Sequence, residues 1–152
     1  MTDHIVTMTE FNFSITDYRE ILQQFGDQLK VPVQNNKLDL PASLGKGYMK
    51  YLRLPNKLDV MVVDLKLNDG FWFNRGRTKL EYYVFVCQEI QNSSTFITAL
   101  DGEEVIRTEP EVSDMYLFSF LSDLNQYTAK GSSVHGFRVI ISTEWLASYL
   151  RI

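Results

Sequence analysis

Apolar residues recur at helical spacing near the N-terminus of this chain and at every second position from Gly47 onward. Tyr18, Ile21, Leu22, Phe25 and Leu29 step by three and four residues, which predicts an amphipathic helix with one buried stripe. Ser14 is its expected N-cap, with Asp17 three residues on and Phe13 and Tyr18 placed for a hydrophobic staple. Gly26 weakens the helix late, and Pro32 stops it. Residues 48–54, 58–67, 71–74 and 82–90 are rich in β-branched and aromatic side chains and are expected strands, followed by 95–100, 105–108, 115–121 and 137–142.

The breaks between these runs carry turn chemistry. Pro55-Asn56-Lys57 and Asn68-Asp69-Gly70 are compatible with tight hairpins, the second through the positive φ that Asp-Gly tolerates. Gln91-Asn92-Ser93-Ser94 and Asp101-Gly102 close two further turns. Within 58–67, Leu58, Val60 and Val62 fall on one face and Met61, Val63, Leu65 and Leu67 on the other. A strand covered on both sides belongs to a barrel or sandwich. Which alternation faces inward is open, because a one-residue slip swaps the faces. At the C-terminus Ser142 or Thr143 caps a second helix with Trp145, Leu146, Tyr149 and Leu150 on one face, expected to be the start of a longer element.

At 152 residues and 45% hydrophobic, the chain fits one domain with a full core. A net charge of −4 is the wrong sign for a free-standing nucleic-acid binder. The single Cys87 excludes an intrachain disulfide and suits the cytosol. No secretory leader or membrane-length apolar run is apparent, so a soluble cytoplasmic domain with no membrane partner is expected.

Candidate chemistry centres on residues 71–90, read as two apolar strands joined by a basic loop holding Arg75 and Arg77. Guanidiniums do not ligate divalent cations but pair well with carboxylate or phosphate. With Trp72, Tyr83 and Phe118 supplying stacking area, they form the candidate ligand-binding set. The bland readings are solvated loop charges for the arginines and core filling for the aromatics. His4 and His135 are too few for a metal site, and no nucleophile elbow or phosphate-binding glycine loop is present. Cys87 sits in an apolar strand with no adjacent base.

Several weak motifs in order carry a resemblance: Leu40-Pro41-Ala42-Ser43-Leu44-Gly45-Lys46-Gly47-Tyr48-Met49, the apolar segment 58–67, Glu81-Tyr82-Tyr83-Val84-Phe85, and Phe137-Arg138-Val139-Ile140-Ile141-Ser142-Thr143-Glu144-Trp145-Leu146. Over residues 38–152 the chain resembles the sensor domain of AraC-type transcription regulators, especially those of the Bacteroidetes lineage. The resemblance implies a mainly β (α+β by content), cupin-like double-stranded β-helix barrel at 38–142. An N-terminal arm and helix (1–37) would precede it, and a C-terminal dimerisation helix would begin at 143–152. It further implies a homodimer that binds a small effector in the barrel, anionic if the arginines contact it. DNA would be reached only through a helix-turn-helix domain absent from this chain. Counting back from Glu81, the histidine slots of a metal cupin fall on Arg75 and Arg77, and a later glycine slot on Gln88, so no cofactor and no metal chemistry are expected. The alternatives are a metal-independent cupin enzyme of the epimerase or lyase kind, with His135 as the only histidine near a strand, or a purely structural dimerisation domain with a filled barrel.

Overall fold

A computed structural model describes residues 9–13, 17–79, 81–92, 95–108 and 112–150. The elements are, in order, β1 (Thr9–Phe13), α1 (Tyr18–Leu29), β2 (Lys37–Asp39), β3 (Gly45–Arg53), β4 (Asp59–Leu67), β5 (Phe71–Arg75), β6 (Tyr82–Gln91), β7 (Phe96–Leu100), β8 (Glu103–Thr108), β9 (Val112–Ser119), β10 (Leu124–Thr128), β11 (Ser133–Ser142) and α2 (Thr143–Leu150). The protein is mainly β, with a five-stranded sheet ordered β1-β5-β10-β7-β8 and a six-stranded sheet ordered β2-β3-β4-β11-β6-β9.

From β4 to β11 the chain changes sheet at every connection except β7 to β8. This corrects two expectations. Asn68-Asp69-Gly70 is a crossover and not a hairpin, because β5 pairs with β1 and β10. Residues 71–90 do form two strands joined by a loop, in different sheets, but Arg75 is the last residue of β5 and only Arg77 lies in the loop. Two further turns are tight: β3 and β4 pair from Arg53↔Asp59 onward, and Asp101 and Gly102 both take positive φ between β7 and β8, while Gln91-Asn92-Ser93-Ser94 lies partly outside the described residues.

Helix α1 begins at Tyr18, capped by Asp17, whose carboxylate accepts the Arg19 N–H at 2.8 Å. The expected cap Ser14 lies outside the described residues, and the helix starts later than that cap requires. It ends at Lys30, left-handed at φ 57°, ahead of Pro32. Tyr18, Ile21, Leu22 and Phe25 are buried, as the stripe predicts. Phe25 packs edge-on against Phe11 (4.6 Å) and Phe13 (5.9 Å) of β1 and stacks on Phe73 of β5 (5.8 Å). The helix therefore closes one side of the space between the sheets.

Register settles which alternation faces inward. Met61 and Leu65 of β4, Val84, Val86 and Gln88 of β6, Gln126 and Thr128 of β10, and Val134 and Ile140 of β11 are buried. Gly136 continues that inward row on β11, opposite Gln88. A Cβ built there would lie 2.2 Å from the Cys87 carbonyl oxygen, whereas one at Gly102 meets nothing within 4 Å. Gly136→Ala is therefore expected to destabilise the fold by about 2–3 kcal/mol or more. Gly102→Ala should cost only the left-handed backbone term, roughly 1–2 kcal/mol. Equilibrium urea unfolding of the two variants checks the ranking.

Candidate functional site

The five residues singled out by sequence do not converge on one site. Trp72 lies on the outer face of the five-stranded sheet, its ring 5.1 Å from Tyr127. Tyr83 points out of the six-stranded sheet and donates its hydroxyl to Glu81 at 3.0 Å. Phe118 is buried in the core beside Tyr116.

Arg77 is an exposed clamp. Its guanidinium reaches Asp101 (3.2 Å) and Asp123 (3.3 Å), and its amide N–H donates to Asp123 at 2.7 Å. The Arg77 amide and guanidinium together hold the Asp123 carboxyl below the usual carboxylate range. Arg75 is 3% exposed and lies over the Phe120 ring at 4.0 Å. Its Nη2 donates to the carbonyls of Ser119 (2.9 Å) and Ser122 (3.1 Å), pinning the turn between β9 and β10. Burial, with a smaller push from the nearby Arg138, pulls its pKa down to about 10.

Arg138, in the segment 137–146 near the C-terminus, borders open space. It projects from β11 into the space between the sheets, midway between Gly136 and Ile140. Its guanidinium sits 4.9 Å from the Phe73 ring centroid, and burial lowers its pKa from the ordinary arginine value. Among the described residues it has no acid or carbonyl partner. It borders a cavity of about 60 Å³ with Tyr18, Phe25, Met61, Leu65, Phe73, Gln126 and Thr128 among its lining.

Two further polar atoms of that lining, the Tyr18 hydroxyl and Gln126 Oε1, are buried without a hydrogen-bond partner among the described residues. Desolvation raises the Tyr18 phenol well above its ordinary value, so it stays protonated as a donor. Buried polar atoms are nearly always paired. A charged donor, a neutral donor and an acceptor thus share one small, otherwise apolar space. The volume holds a few water-sized groups, far below the 300–1,000 Å³ of drug-sized pockets. The sequence carries only part of this signal, an arginine in an apolar strand two residues from a glycine, because the inward face is fixed by register.

His135 faces outward and lies 2.9 Å from Asp64. Gln88, in the counted glycine slot, is buried and faces Gly136. No group of three or more His, Cys, Asp or Glu that could hold a metal occurs among the described residues. No helix among them is long and apolar enough to cross a membrane.

Neither a protein-family description nor a curated protein matches the chain. Among solved structures, a cupin protein from Bacteroides fragilis aligns at 20% identity over 57% of this chain and 66% of its own, with a TM-score of 0.36. The chain thus spans just under two thirds of that protein's length. The plu4264 protein from Photorhabdus luminescens aligns at 12% identity over 80% of this chain and 88% of its own, with a TM-score of 0.39. At TM-scores this low neither similarity carries an argument.

Arg75→Ala should act on stability, leaving the Ser119 and Ser122 carbonyls without their donor and a void beside Phe120. The expected loss is roughly 2–4 kcal/mol by chemical denaturation. A variant as stable as wild type would show that Arg75 is not the strut described here.

Proposed function

We propose that this chain is a cupin-like sensor domain that takes a compact organic anion, of small-carboxylate size, onto Arg138 inside the barrel. The observation that carries the reading is the cavity-facing guanidinium with no anionic partner among the described residues. An arginine so placed is costly to the empty protein and strongly attractive to a desolvated carboxylate. The Tyr18 hydroxyl supplies a second donor, and Gln126 Oε1 an acceptor for a hydroxyl on the ligand.

The cupin-like double-stranded β-helix is supported by the strand order. β4-β11-β6-β9 faces β5-β10-β7-β8, the interleaving in which a jelly roll alternates between its two sheets. The regulatory part of the reading rests on continuity: β11 carries Arg138 and runs straight into α2. Ser142 caps that helix by accepting the Trp145 N–H at 3.0 Å, and Thr143 donates to the Glu81 carbonyl at 2.7 Å. Trp145 stacks on a half-exposed Tyr149. Met115, Leu117 and Phe137 leave apolar surface on the outer face of the six-stranded sheet. Both features suit a homodimer of an AraC-type regulator whose DNA-binding part lies outside this chain. In that scheme the ligand shifts how α2 pairs and the chain does no catalysis; His135, outside the barrel, is no help to an epimerase or lyase.

Arg138→Met separates this reading from a merely filled barrel. Thermal unfolding of wild type should shift upward with acetate, pyruvate or glycolate, by the equivalent of about 2.7 kcal/mol at a hundred times Kd. The variant should show no such shift. Its ligand-free stability should match or slightly exceed wild type, because an apolar side chain replaces a partly desolvated charge that has no partner. A destabilised variant beside an anion-insensitive wild type would make Arg138 structural and the barrel a scaffold.

A further inference from the structure

The outer face of the five-stranded sheet presents two unlike rows side by side. One row runs Glu10↔Trp72↔Tyr127↔Ile97 across β1, β5, β10 and β7; the next runs Asn12↔Asn74↔Asn125↔Ala99. Three asparagines in register across three strands run against β-propensity, so folding preference does not account for them. They are bonded to one another. Asn125 Nδ2 donates to Asn74 Oδ1 at 2.6 Å, and Asn74 Nδ2 donates to Asn12 Oδ1 at 3.1 Å and Glu10 Oε1 at 2.7 Å. This orients the ladder, leaving amide N–H groups of Asn12 and the carbonyl of Asn125 for a ligand.

The aromatic row is shaped as well. Trp72 and Tyr127 lie with centroids 5.1 Å apart at 39°. A Cβ at Gly70 would sit 2.8 Å from the Tyr127 hydroxyl, so the missing side chain lets Tyr127 lie along the sheet beside Trp72. Beyond the amides, a cleft of about 440 Å³ is lined by Asn12, Asn74, Gly76, Asp123 and Asn125, with Phe13 and Arg75 at its floor. That volume is within the range of small-molecule sites. Shelf, ladder and cleft follow each other along β5 over about four residues, roughly 13 Å.

We propose that this face is a saccharide-binding surface: a neutral oligosaccharide stacks a sugar ring on Trp72 and Tyr127 and spends its hydroxyls on Glu10, Asn12, Asn74 and Asn125. The chemistry matches part by part. The C–H face of a pyranose is apolar and flat, suited to rigid aromatic rings. Its hydroxyls donate and accept at once, as the ladder ends do. Glu10 beside the aromatic row and Asp123 in the cleft disfavour an anion. The site is separate from the Arg138 cavity, being on the opposite face of the same sheet.

The chain has two tryptophans, so Trp145→Phe leaves Trp72 as the sole indole reporter. Titrating that variant with cellohexaose, xylohexaose and maltohexaose should give a saturable change in Trp72 emission with at least one of them, with Kd of about 1 mM or tighter. Asn74→Ala, placed in the same background, should weaken that binding about tenfold, the scale of one lost hydrogen bond to a polar ligand. Gel electrophoresis through the matching polysaccharide should retard wild type but not Trp72→Ala, with circular dichroism confirming that both are folded. Arg138→Met should bind the sugars like wild type, so failure of either site is seen independently of the other. Unchanged Trp72 emission with all three sugars, or equal retardation of wild type and Trp72→Ala, overturns the proposal.

Discussion

The apolar interior between the two sheets depends on helix α1. Its Phe25 meets Phe11, Phe13 and Phe73 in one aromatic cluster, joining the helix to β1 and β5. Tyr18, Ile21 and Phe25 then form one wall of the cavity. Behind that wall the effective dielectric is several-fold lower than in water, so any charge inside is both more costly and more selective than at the surface. Losing the seal would turn Arg138 into an ordinary hydrated side chain. The helix is therefore part of the candidate site as well as of the fold.

Three arginines show how partners, more than residue type, set a role. Arg77 sits between two exposed carboxylates and ties two loops together. Arg75 is buried and its Nη2 donates to two carbonyls, which suits a strut, while its Nε is buried without a partner among the described residues. Arg138 is half-buried beside Tyr18 and Phe73 and faces open space. Arg75 and Arg138 also repel each other, so an anion beside Arg138 would lower the free energy of both. A binding free energy of that kind can be coupled to α2, because β11 continues into the helix without a linker.

Much of the secondary structure was legible from period and turn chemistry, and little of the site was. Strands such as β4 and β6 announce themselves by long β-branched and aromatic runs, and α1 by its stripe. β10 escaped because its inward row is Leu124, Gln126 and Thr128, which hydrophobicity reads as a loop. Asn68-Asp69-Gly70 has the chemistry of a hairpin turn but links different sheets, since pairing is a tertiary outcome that a short turn motif does not carry. Arg75 and Arg77 drew attention as a basic loop, yet two residues of spacing put one inside and the other outside. Arg138 was hidden because its meaning is the absence of a neighbour, and only the packed structure supplies neighbours.

The central claim is that Arg138 carries an uncompensated charge awaiting an anion. The most direct measurement is the Nε–Hε correlation of Arg138, assigned by its loss in Arg138→Met, in ¹⁵N-labelled protein titrated with acetate, pyruvate and glycolate. The account predicts a saturable shift of that resonance with slowed hydrogen exchange, while the Arg77 resonance stays in place. An Arg138 resonance indifferent to all three anions would contradict it.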